Sequence, residues 1–246
     1  MPAVPAGLGW RQKAALAAHL FKAVARRHHR ALEPVLRQVV PPAGVVLDVG
    51  AHAGQFTKLF ARLAPAGHVH AIEPGSYARF VLATAVRMLG LGNVTVHALA
   101  LSDRDGEAEL VVPIKAGGGV GFGLGHLAGD EPARKALCER VPVTTLDRFV
   151  SRLGLDRLDL IKADVEGAEA ALLAGGRDTL ARFHPALLVE IDSSRLARAG
   201  ATPADIWSAL AALGYQGRRL DADGRLAERA GDLGDGDYLF RAPAAG

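Results

Sequence analysis

A short apolar segment followed by a glycine turn constrains the fold of this 246-residue chain more than any other feature. The segment Val45–Val49 is apolar apart from Asp48 and follows two prolines, which is typical of a strand buried on both faces of a parallel sheet. Gly50 and Gly54 come next, and apolar residues at helical spacing follow over residues 55–63. Strand, turn and helix therefore form one unit, with Asp48 at the end of the strand where open α/β sheets bind ligands.

The spacing of the glycine turn favours an adenosine cofactor without a pyrophosphate. The turn reads Gly50-x-x-x-Gly54, so His52 stands where the dinucleotide fingerprint Gly-x-Gly-x-x-Gly has its middle glycine. A pyrophosphate needs close backbone approach at that point, which a side chain obstructs. Glu73 ends the next apolar segment about twenty residues further on, where an acidic side chain commonly binds ribose hydroxyls. These residues favour S-adenosylmethionine over a nicotinamide dinucleotide.

Apolar segments and helical periodicity alternate along much of the remaining chain. Further strands are predicted at residues 67–74, 94–101, 158–166 and 186–192, and helices within 8–40, at 77–89, from 167 and at 203–213. This order predicts parallel strands with right-handed crossovers, closed by an antiparallel pair at 215–220 and 237–242. Two more strands, at 108–114 and 141–146, flank the loop Gly117–Gly125, which is either a flexible connector or a lid over substrate.

The first 44 residues predict a helical extension, followed by one α/β domain at residues 45–246. A basic cluster, Arg26–Arg30, separates two helical stripes of this extension. The cluster is either a solvated helix face or a cap that attracts an anionic substrate.

Composition argues against several classes of protein. The formal net charge of +3 is too small to indicate nucleic-acid binding. The single cysteine, Cys138, excludes an intrachain disulfide and a multi-cysteine metal site. Neither a signal peptide nor an apolar run long enough to cross a bilayer is visible. We therefore expect a soluble, cytoplasmic protein.

Acidic residues come at the ends of two predicted strands. Asp164 and Glu166 alternate along one strand end, and Glu190 and Asp192 along the next. If these strands are neighbours, the four carboxylates gather at one edge of the sheet, and their repulsion raises the pKa of at least one, which suits a general base. A bound divalent metal ion and a purely structural role are the alternatives. Lys162 is interpreted as a tether to a neighbouring carboxylate.

Six stretches between residues 45 and 192 resemble the FkbM family of S-adenosylmethionine-dependent methyltransferases. They are Leu47-Asp-Val-Gly-Ala-His-Ala-Gly-Gln-Phe-Thr57, Ala71-Ile-Glu-Pro74, Ala98-Leu-Ala-Leu-Ser102, Val143-Thr-Thr-Leu-Asp147, Ile161-Lys-Ala-Asp-Val-Glu-Gly-Ala-Glu169 and Leu187-Leu-Val-Glu190. The most specific is Lys-x-Asp-x-Glu-Gly-x-Glu. The loop Gly117–Gly125 and the basic N-terminal segment depart from the family pattern.

The resemblance implies an α/β, Rossmann-like methyltransferase fold whose mostly parallel, seven-stranded sheet ends in an antiparallel strand. It also implies methyl transfer to a hydroxyl of a sugar or natural-product scaffold. We predict Asp164 as the base, with Glu166 and Glu190 orienting the acceptor or a bound cation. The predicted cofactor-binding residues are Asp48, Gly50, Ala51, His52, Gly54, Glu73, Ser102 and Asp103.

Three other functions stay open from the sequence. The basic helix slightly favours an RNA or protein methyltransferase, although no added RNA-binding module is visible. A catalytically silent cofactor-binding partner would not need Asp164, Glu166 and Glu190. A nicotinamide oxidoreductase is disfavoured by His52 in the turn. The expected partner is a small-molecule or glycan hydroxyl, without nucleic acid, and the oligomeric state is open, a homodimer included.

Overall fold

The computed structural model of this protein describes residues 10–25, 29–113, 126–127, 136–221, 223–230 and 234–242. The helices are α1 (Trp10–Ala25), α2 (Glu33–Leu36), α3 (Gln55–Leu63), α4 (Ser76–Met88), α5 (Leu146–Leu153), α6 (Glu169–Ala174), α7 (Arg177–Phe183), α8 (Ser193–Arg198) and α9 (Pro203–Ala211), with a 3-10 turn at Arg30–Leu32. The strands are β1 (Val45–Val49), β2 (His68–Ile72), β3 (Val94–His97), β4 (Ala100–Ser102), β5 (Gly106–Pro113), β6 (His126–Leu127), β7 (Ala136–Thr145), β8 (Leu160–Ala163), β9 (Ala186–Ile191), β10 (Gln216–Leu220), β11 (Leu226–Ala230) and β12 (Gly236–Arg241). The loop Gly117–Gly125 and residues 26–28 of the basic cluster lie outside the described residues.

The main sheet has the strand order β11-β10-β12-β9-β8-β1-β2-β3. Strands β1, β2, β3, β8 and β9 are parallel, whereas β12 pairs antiparallel with both β9 and β10. The carboxyl ends of the parallel strands therefore meet at one edge, with Asp48 of β1 in register with Lys162 of β8. This arrangement confirms the predicted Rossmann-like class and the antiparallel closing pair.

The described sheet has eight strands rather than the predicted seven, because the chain adds β11 at its outer edge. A tight turn makes this addition. The side chain of Asp221 accepts hydrogen bonds from the backbone amides of Asp223 and Arg225, so the chain reverses directly after β10. The returning segment pairs antiparallel with β10. Its charged and small residues carry a weak strand signal, which the sequence analysis interpreted as a turn.

A second sheet, in the order β4-β7-β5-β6, was not predicted. Residues 94–101 were predicted as one strand, but the chain breaks after His97, and the second half, β4, pairs parallel with β7. The long ladder between β5 and β7 runs from Gly106 opposite Val143 to Pro113 opposite Ala136 and supplies a second edge for β4 to join. That edge is formed by residues about forty positions away in sequence, so local pattern could not reveal the break.

Both faces of the main sheet are covered, as the apolar β1 sequence predicts. Leu47 and Val49 face a core that includes helices α5 to α9, and Val46 faces a second core with Leu59 and Phe60 of α3. Helix α1 packs on α4, where Leu16 and Ala23 contact Val81 and Ala85. Among the described helices, none combines the length and apolar character that a bilayer crossing requires.

Candidate active site

The glycine turn after β1 is bent by three residues with positive φ, namely Gly50 (74°), His52 (47°) and Gly54 (82°). Gly54 begins α3 in the left-handed conformation, which glycine adopts without strain. A Cβ atom at Gly50 would lie 1.8 Å from the backbone oxygen of Asp164. Glycine is therefore required here by the close packing of two loops of the protein itself, in addition to any ligand approach.

Asp48 is fully buried at the end of β1 and has one unsatisfied oxygen. The Thr57 hydroxyl donates to its Oδ2 at 2.5 Å, whereas Oδ1 finds no hydrogen-bond donor within the part of the chain that the structure describes. The Lys162 ammonium lies 3.7 Å from this Oδ1. Burial raises the pKa of Asp48, and Lys162 and Thr57 offset part of that rise. A buried acceptor without a donor fits a ligand that carries an ammonium or hydroxyl group.

Glu73 lies just beyond β2 and is held by the glycine turn. Its Oε2 accepts a hydrogen bond from the His52 amide, and its Oε1 one from the Gly75 amide, both at 2.8 Å. Burial raises the pKa of Glu73 to about 7, although both amides favour the ionised form. Each oxygen keeps a lone pair that could accept a ribose hydroxyl. His52 thus enters this site through its backbone, while Ala51 is buried and its amide donates to Ile72.

Asp164 and Glu166 lie beyond the end of β8, so the prediction of a strand through residue 166 was wrong. The amide of Asp164 still donates to the carbonyl of Val49 at 3.3 Å, but β1 itself ends there and offers no further partner. The chain then turns, and Glu166 adopts the left-handed conformation with φ 58°. Glu169, at the start of α6, accepts hydrogen bonds from the amides of Val165 and Gly167 and so braces this loop.

Lys162 ties the two loops together, as predicted. Its Nζ lies 3.1 Å from Oδ2 of Asp164 and donates to the carbonyl oxygen of Gly50 at 2.9 Å. Its side chain is only 5% exposed. The ammonium therefore compensates two carboxylates, Asp48 and Asp164, and lies 5.5 Å from the centre of the Phe56 ring.

Asp164, just beyond β8, and Glu190, on β9, form a carboxyl pair in which each group shifts the pKa of the other. Burial raises the pKa of Glu190 to about 8, and the neighbouring Asp164 adds to this rise. Burial would also raise the pKa of Asp164, but Lys162 and the hydrogen bond with Glu190 hold it below its usual value. Burial thus favours the protonated form of Glu190, whereas Lys162 favours the ionised form of Asp164.

The sequence analysis missed Arg195 of α8. Its guanidinium is within 3.3 Å of three carboxylates, those of Glu166, Glu190 and Asp192. Asp192 caps α8 by accepting from the amides of Ser194 and Arg195, so the predicted gathering of carboxylates holds, with Asp192 as a helix cap. Burial raises the pKa of Glu166 to about 7. The spacing of Asp192 and Arg195 at i and i+3 was the available signal.

Ser102 and Asp103 lie at the far end of α6. The Ser102 hydroxyl donates to Asp103 at 3.2 Å, and a Cβ atom at Gly175 would lie 2.0 Å from the Ser102 backbone oxygen. Gly175 directly follows α6, whose other end adjoins the loop of Asp164 and Glu166. Helix α6 therefore separates Ser102 and Asp103 from the loop of Asp164 and Glu166. Within the described ranges, no group of three or more His, Cys, Asp and Glu side chains is arranged to hold a metal ion.

The model of the family described as "Methyltransferase FkbM domain" matches residues 48–216, which is more than half of the chain. This chain belongs to the FkbM methyltransferase family. The match includes the glycine turn, Glu73, the loop of Asp164 and Glu166, and Glu190.

Two curated relatives align with the same part of the chain. The 2-O-methyltransferase NoeI of Sinorhizobium fredii is 28% identical over 162 residues, which are 63% of this chain and 65% of NoeI. The AMB antimetabolite synthetase AmbE of Pseudomonas aeruginosa is 30% identical over 185 residues, which are 64% of this chain and 9% of AmbE. The alignments thus span less than two thirds of each relative.

Solved structures show the same fold at low sequence identity. Methyltransferase FkbM from Methylobacillus flagellatus KT aligns with a TM-score of 0.52 and 17% identity, covering 94% of this chain and 59% of its own. An O-methyltransferase from Bacillus cereus, crystallised in complex with SAH, aligns with a TM-score of 0.52 and 11% identity, covering 94% and 88%. These similarities establish the Rossmann-like methyltransferase fold.

Proposed function

We propose that this FkbM-family methyltransferase transfers a methyl group to a hydroxyl of a sugar or natural-product scaffold. Its cofactor is S-adenosylmethionine. The observation that carries the proposal is the Asp164–Glu190 carboxyl pair, because an alcohol must lose its proton as its oxygen attacks a methyl group. The pair lies at the carboxyl edge of the sheet, next to the residues that would hold the cofactor.

The turn after β1 fits the cofactor at two points. The unsatisfied Oδ1 of Asp48 would accept from an amino group, and the free lone pairs of Glu73 would accept from the ribose hydroxyls. Ser102 and Asp103 remain candidates for the adenine side on the strength of the family resemblance. When bound, the cofactor supplies a methyl group that is activated by its attachment to a sulfonium.

The chain's own residues would then handle the acceptor proton. Asp164 is the ionised member of the pair and would accept the proton from the attacking hydroxyl. Glu190 donates a hydrogen bond to Asp164 and thereby limits the negative charge at this edge. Lys162 holds the Asp164 carboxylate in place at 3.1 Å. Because the pair titrates as a unit, an activity profile would report the pKa values of the pair rather than of either residue.

Alignment of the acceptor accounts for the rest of the proposed catalysis. Holding two reacting groups in line can supply about 7–11 kcal/mol of barrier reduction. Glu166 and Glu190 project from two neighbouring elements and would bond the other hydroxyls of a polyol acceptor. The relative NoeI is a 2-O-methyltransferase, which supports a hydroxyl as the acceptor group. The cytoplasmic location and the oligomeric state stay predictions.

Calorimetry followed by a transfer assay tests this proposal. We expect the protein to bind S-adenosylhomocysteine and not NAD, and to transfer labelled methyl groups from S-adenosylmethionine to members of a panel of sugars and hydroxylated natural products. Label in RNA or in protein substrates instead would support the other methyltransferase classes. Cofactor binding without transfer to any acceptor class would favour a silent binding partner, and binding of NAD alone would contradict the cofactor.

A further inference from the structure

We propose that Arg195 is the positioning residue of the acceptor side, holding the carboxylates of Glu166 and Glu190 in the arrangement that accepts the hydroxyl. This inference rests on the proposed hydroxyl methylation and adds a residue that the family motifs in the sequence do not include. Arg195 acts through the two carboxylates rather than on the reacting atoms.

The guanidinium of Arg195 joins the loop after β8 to strand β9. Its Nε lies 3.1 Å from Oε2 of Glu166, in the loop after β8. Its terminal nitrogen donates to Oε2 of Glu190, on β9, at 3.0 Å. A rigid planar donor that engages both groups fixes their relative orientation, which a flexible lysine ammonium would not do as well.

The backbone of Arg195 is anchored as firmly as its side chain. Its amide donates to Oδ1 of Asp192 at 3.0 Å, which places it in the first turn of α8. Its carbonyl oxygen occupies the space next to Gly167, where an added Cβ atom would lie 2.5 Å away. The acidic loop and α8 therefore meet at closest packing distance, and the guanidinium has little freedom to move away.

The conformation of Glu166 gives independent support. Glu166 is not a glycine, yet its φ is 58°, a left-handed conformation that is unfavourable for an ordinary residue. Such a residue persists only when its surroundings hold it. The described contacts that do so are the ion pair with Arg195 and the hydrogen bonds of Glu169 to the amides on either side of it. The result is a carboxylate directed to the same edge as Glu190.

Arg195 is also the main positive charge acting on both carboxyls, since it lowers the pKa of each against the effect of burial. The other charged groups that face them are Lys162 and Asp164 from β8 and its loop, Glu169 from α6, Arg198 from α8 and Asp237 from β12. Removing the guanidinium leaves an excess of acidic groups. The carboxyls would then hold their protons to higher pH.

Three variants test the inference. We expect Arg195→Gln to lower kcat about 100-fold, since small misplacements at a reacting centre have effects of that order. The acidic limb of its pH–kcat profile should move to higher pH by about one unit or more. Affinity for S-adenosylhomocysteine should stay within about threefold, because Arg195 does not touch the predicted cofactor residues. Arg195→Lys should restore part of kcat and of the pH shift. The matched control is Arg152→Gln, which removes the same charge from an exposed position on α5.

A second readout separates this inference from the proposed function. Carbon-13 NMR titration of the glutamate side chains, with S-adenosylhomocysteine bound, requires no acceptor. We expect Arg195→Gln to raise the titration midpoints of Glu166 and Glu190, and Arg152→Gln to change them little. Unchanged midpoints, or equal changes in the two variants, would overturn the role of Arg195 even in an active enzyme. Shifted midpoints in a protein that methylates no hydroxyl would sustain the positioning of the carboxylates and reject the proposed function. If Arg195→Gln does not fold, the kinetic measurements and the NMR titration are made on Arg195→Lys instead.

Discussion

Two groups of titratable side chains differ in what their perturbed pKa values mean. The first, the acid edge, consists of Asp164, Glu166 and Glu190 at the carboxyl ends of β8 and β9. The second, the histidine ladder, consists of His68, His70 and His97 on β2 and β3. Burial shifts pKa values in both groups.

The histidine ladder lies within the main sheet, on two neighbouring strands. Nδ1 of His70 lies 3.1 Å from Nε2 of His97, and the His97 ring meets Phe149 of α5 edge-on, with 5.0 Å between the ring centres. Burial and the two neighbouring histidines lower the pKa of His70 to about 4. The ring of His70 is therefore neutral at physiological pH, and it serves as a packing group that shares a hydrogen bond with His97.

The acid edge differs from the histidine ladder because two cations face its carboxyl groups. Lys162 faces Asp164, and Arg195 faces Glu166 and Glu190. It also lies where parallel strands end and where the glycine turn begins. In both groups, therefore, a shifted pKa reports burial. A titratable group becomes a candidate for chemistry only when it also lies at the ligand-binding edge of the sheet.

The largest expected effect is on turnover at the acid edge. Asp164→Asn removes the proton acceptor, so kcat should fall about 10²- to 10⁴-fold while affinity for S-adenosylhomocysteine stays nearly intact. Methyl-transfer kinetics and calorimetry measure the two quantities. Asp156→Asn, at an exposed position, is the matched control. Turnover within a factor of a few of wild type would show that Asp164 is not the base.

Stability should depend strongly on the cation at the acid edge. Lys162→Met leaves Asp48 and Asp164 without their compensating ammonium, and breaking a buried pair in this way costs about 3–5 kcal/mol in the free energy of unfolding. Urea denaturation at pH 7 measures the loss, with Lys22→Met on exposed α1 as the control. Equal effects of the two substitutions would mean that the buried lysine is not required to compensate the two carboxylates.

The histidine ladder should determine part of the pH dependence of stability. His70 has a lowered pKa, so its unfolded form binds the proton more readily, and its contribution is complete above pH 6.5 and lost as pH falls towards 4. Between pH 7 and pH 5 this amounts to roughly 2 kcal/mol. His70→Asn should remove that part of the slope, and His184→Asn at the end of α7 should retain it. Parallel slopes for His70→Asn and wild type would contradict the burial of a neutral ring.

The smallest effect is expected at the exposed end of the ladder. Nε2 of His68 lies 2.8 Å from the hydroxyl of Thr95, whose side chain is exposed. Thr95→Val removes one solvent-accessible hydrogen bond, so the free energy of unfolding should change by less than about 1 kcal/mol. The pH slope should remain that of wild type. If Thr95→Val lowered the free energy of unfolding more than His70→Asn does, the exposed hydrogen bond would matter more than the buried ring, contrary to this prediction.

The local sequence pattern was sufficient to predict the strand and the helix on either side of the glycine turn. The predicted β1 and α3 have the bounds Val45–Val49 and Gln55–Leu63 in the structure. The continuous apolar run and the helical spacing both come from residues that are neighbours in sequence. Thr202 caps α9 as its type and position predict, with a reciprocal bond to Asp205. The predicted tether from Lys162 to a neighbouring carboxylate likewise joins residues that are close in sequence, since Nζ lies 3.1 Å from Asp164.

The features that the sequence did not predict depend on how segments pair in the folded protein. The break after His97 depends on β7, and the extra strand β11 depends on the turn at Asp221. Arg195 lies about thirty residues from Glu166, and its guanidinium is directed by the helix cap at Asp192. The contacts with β7 and with Glu166 have no period or spacing that a single sequence displays.

The sequence by itself determined the β-α order, the glycine turn, and the acidic residues that end two strands, because periodicity and turn chemistry act over a few residues. Only the tertiary structure decided how charge is distributed among those acids. The parallel register of β1, β8 and β9 brings Asp48, Asp164 and Glu190 to one edge, and the packing of α8 against Gly167 brings Arg195 to them. Burial and neighbouring charges, which set the protonation of the carboxyl pair, exist only once those segments have met.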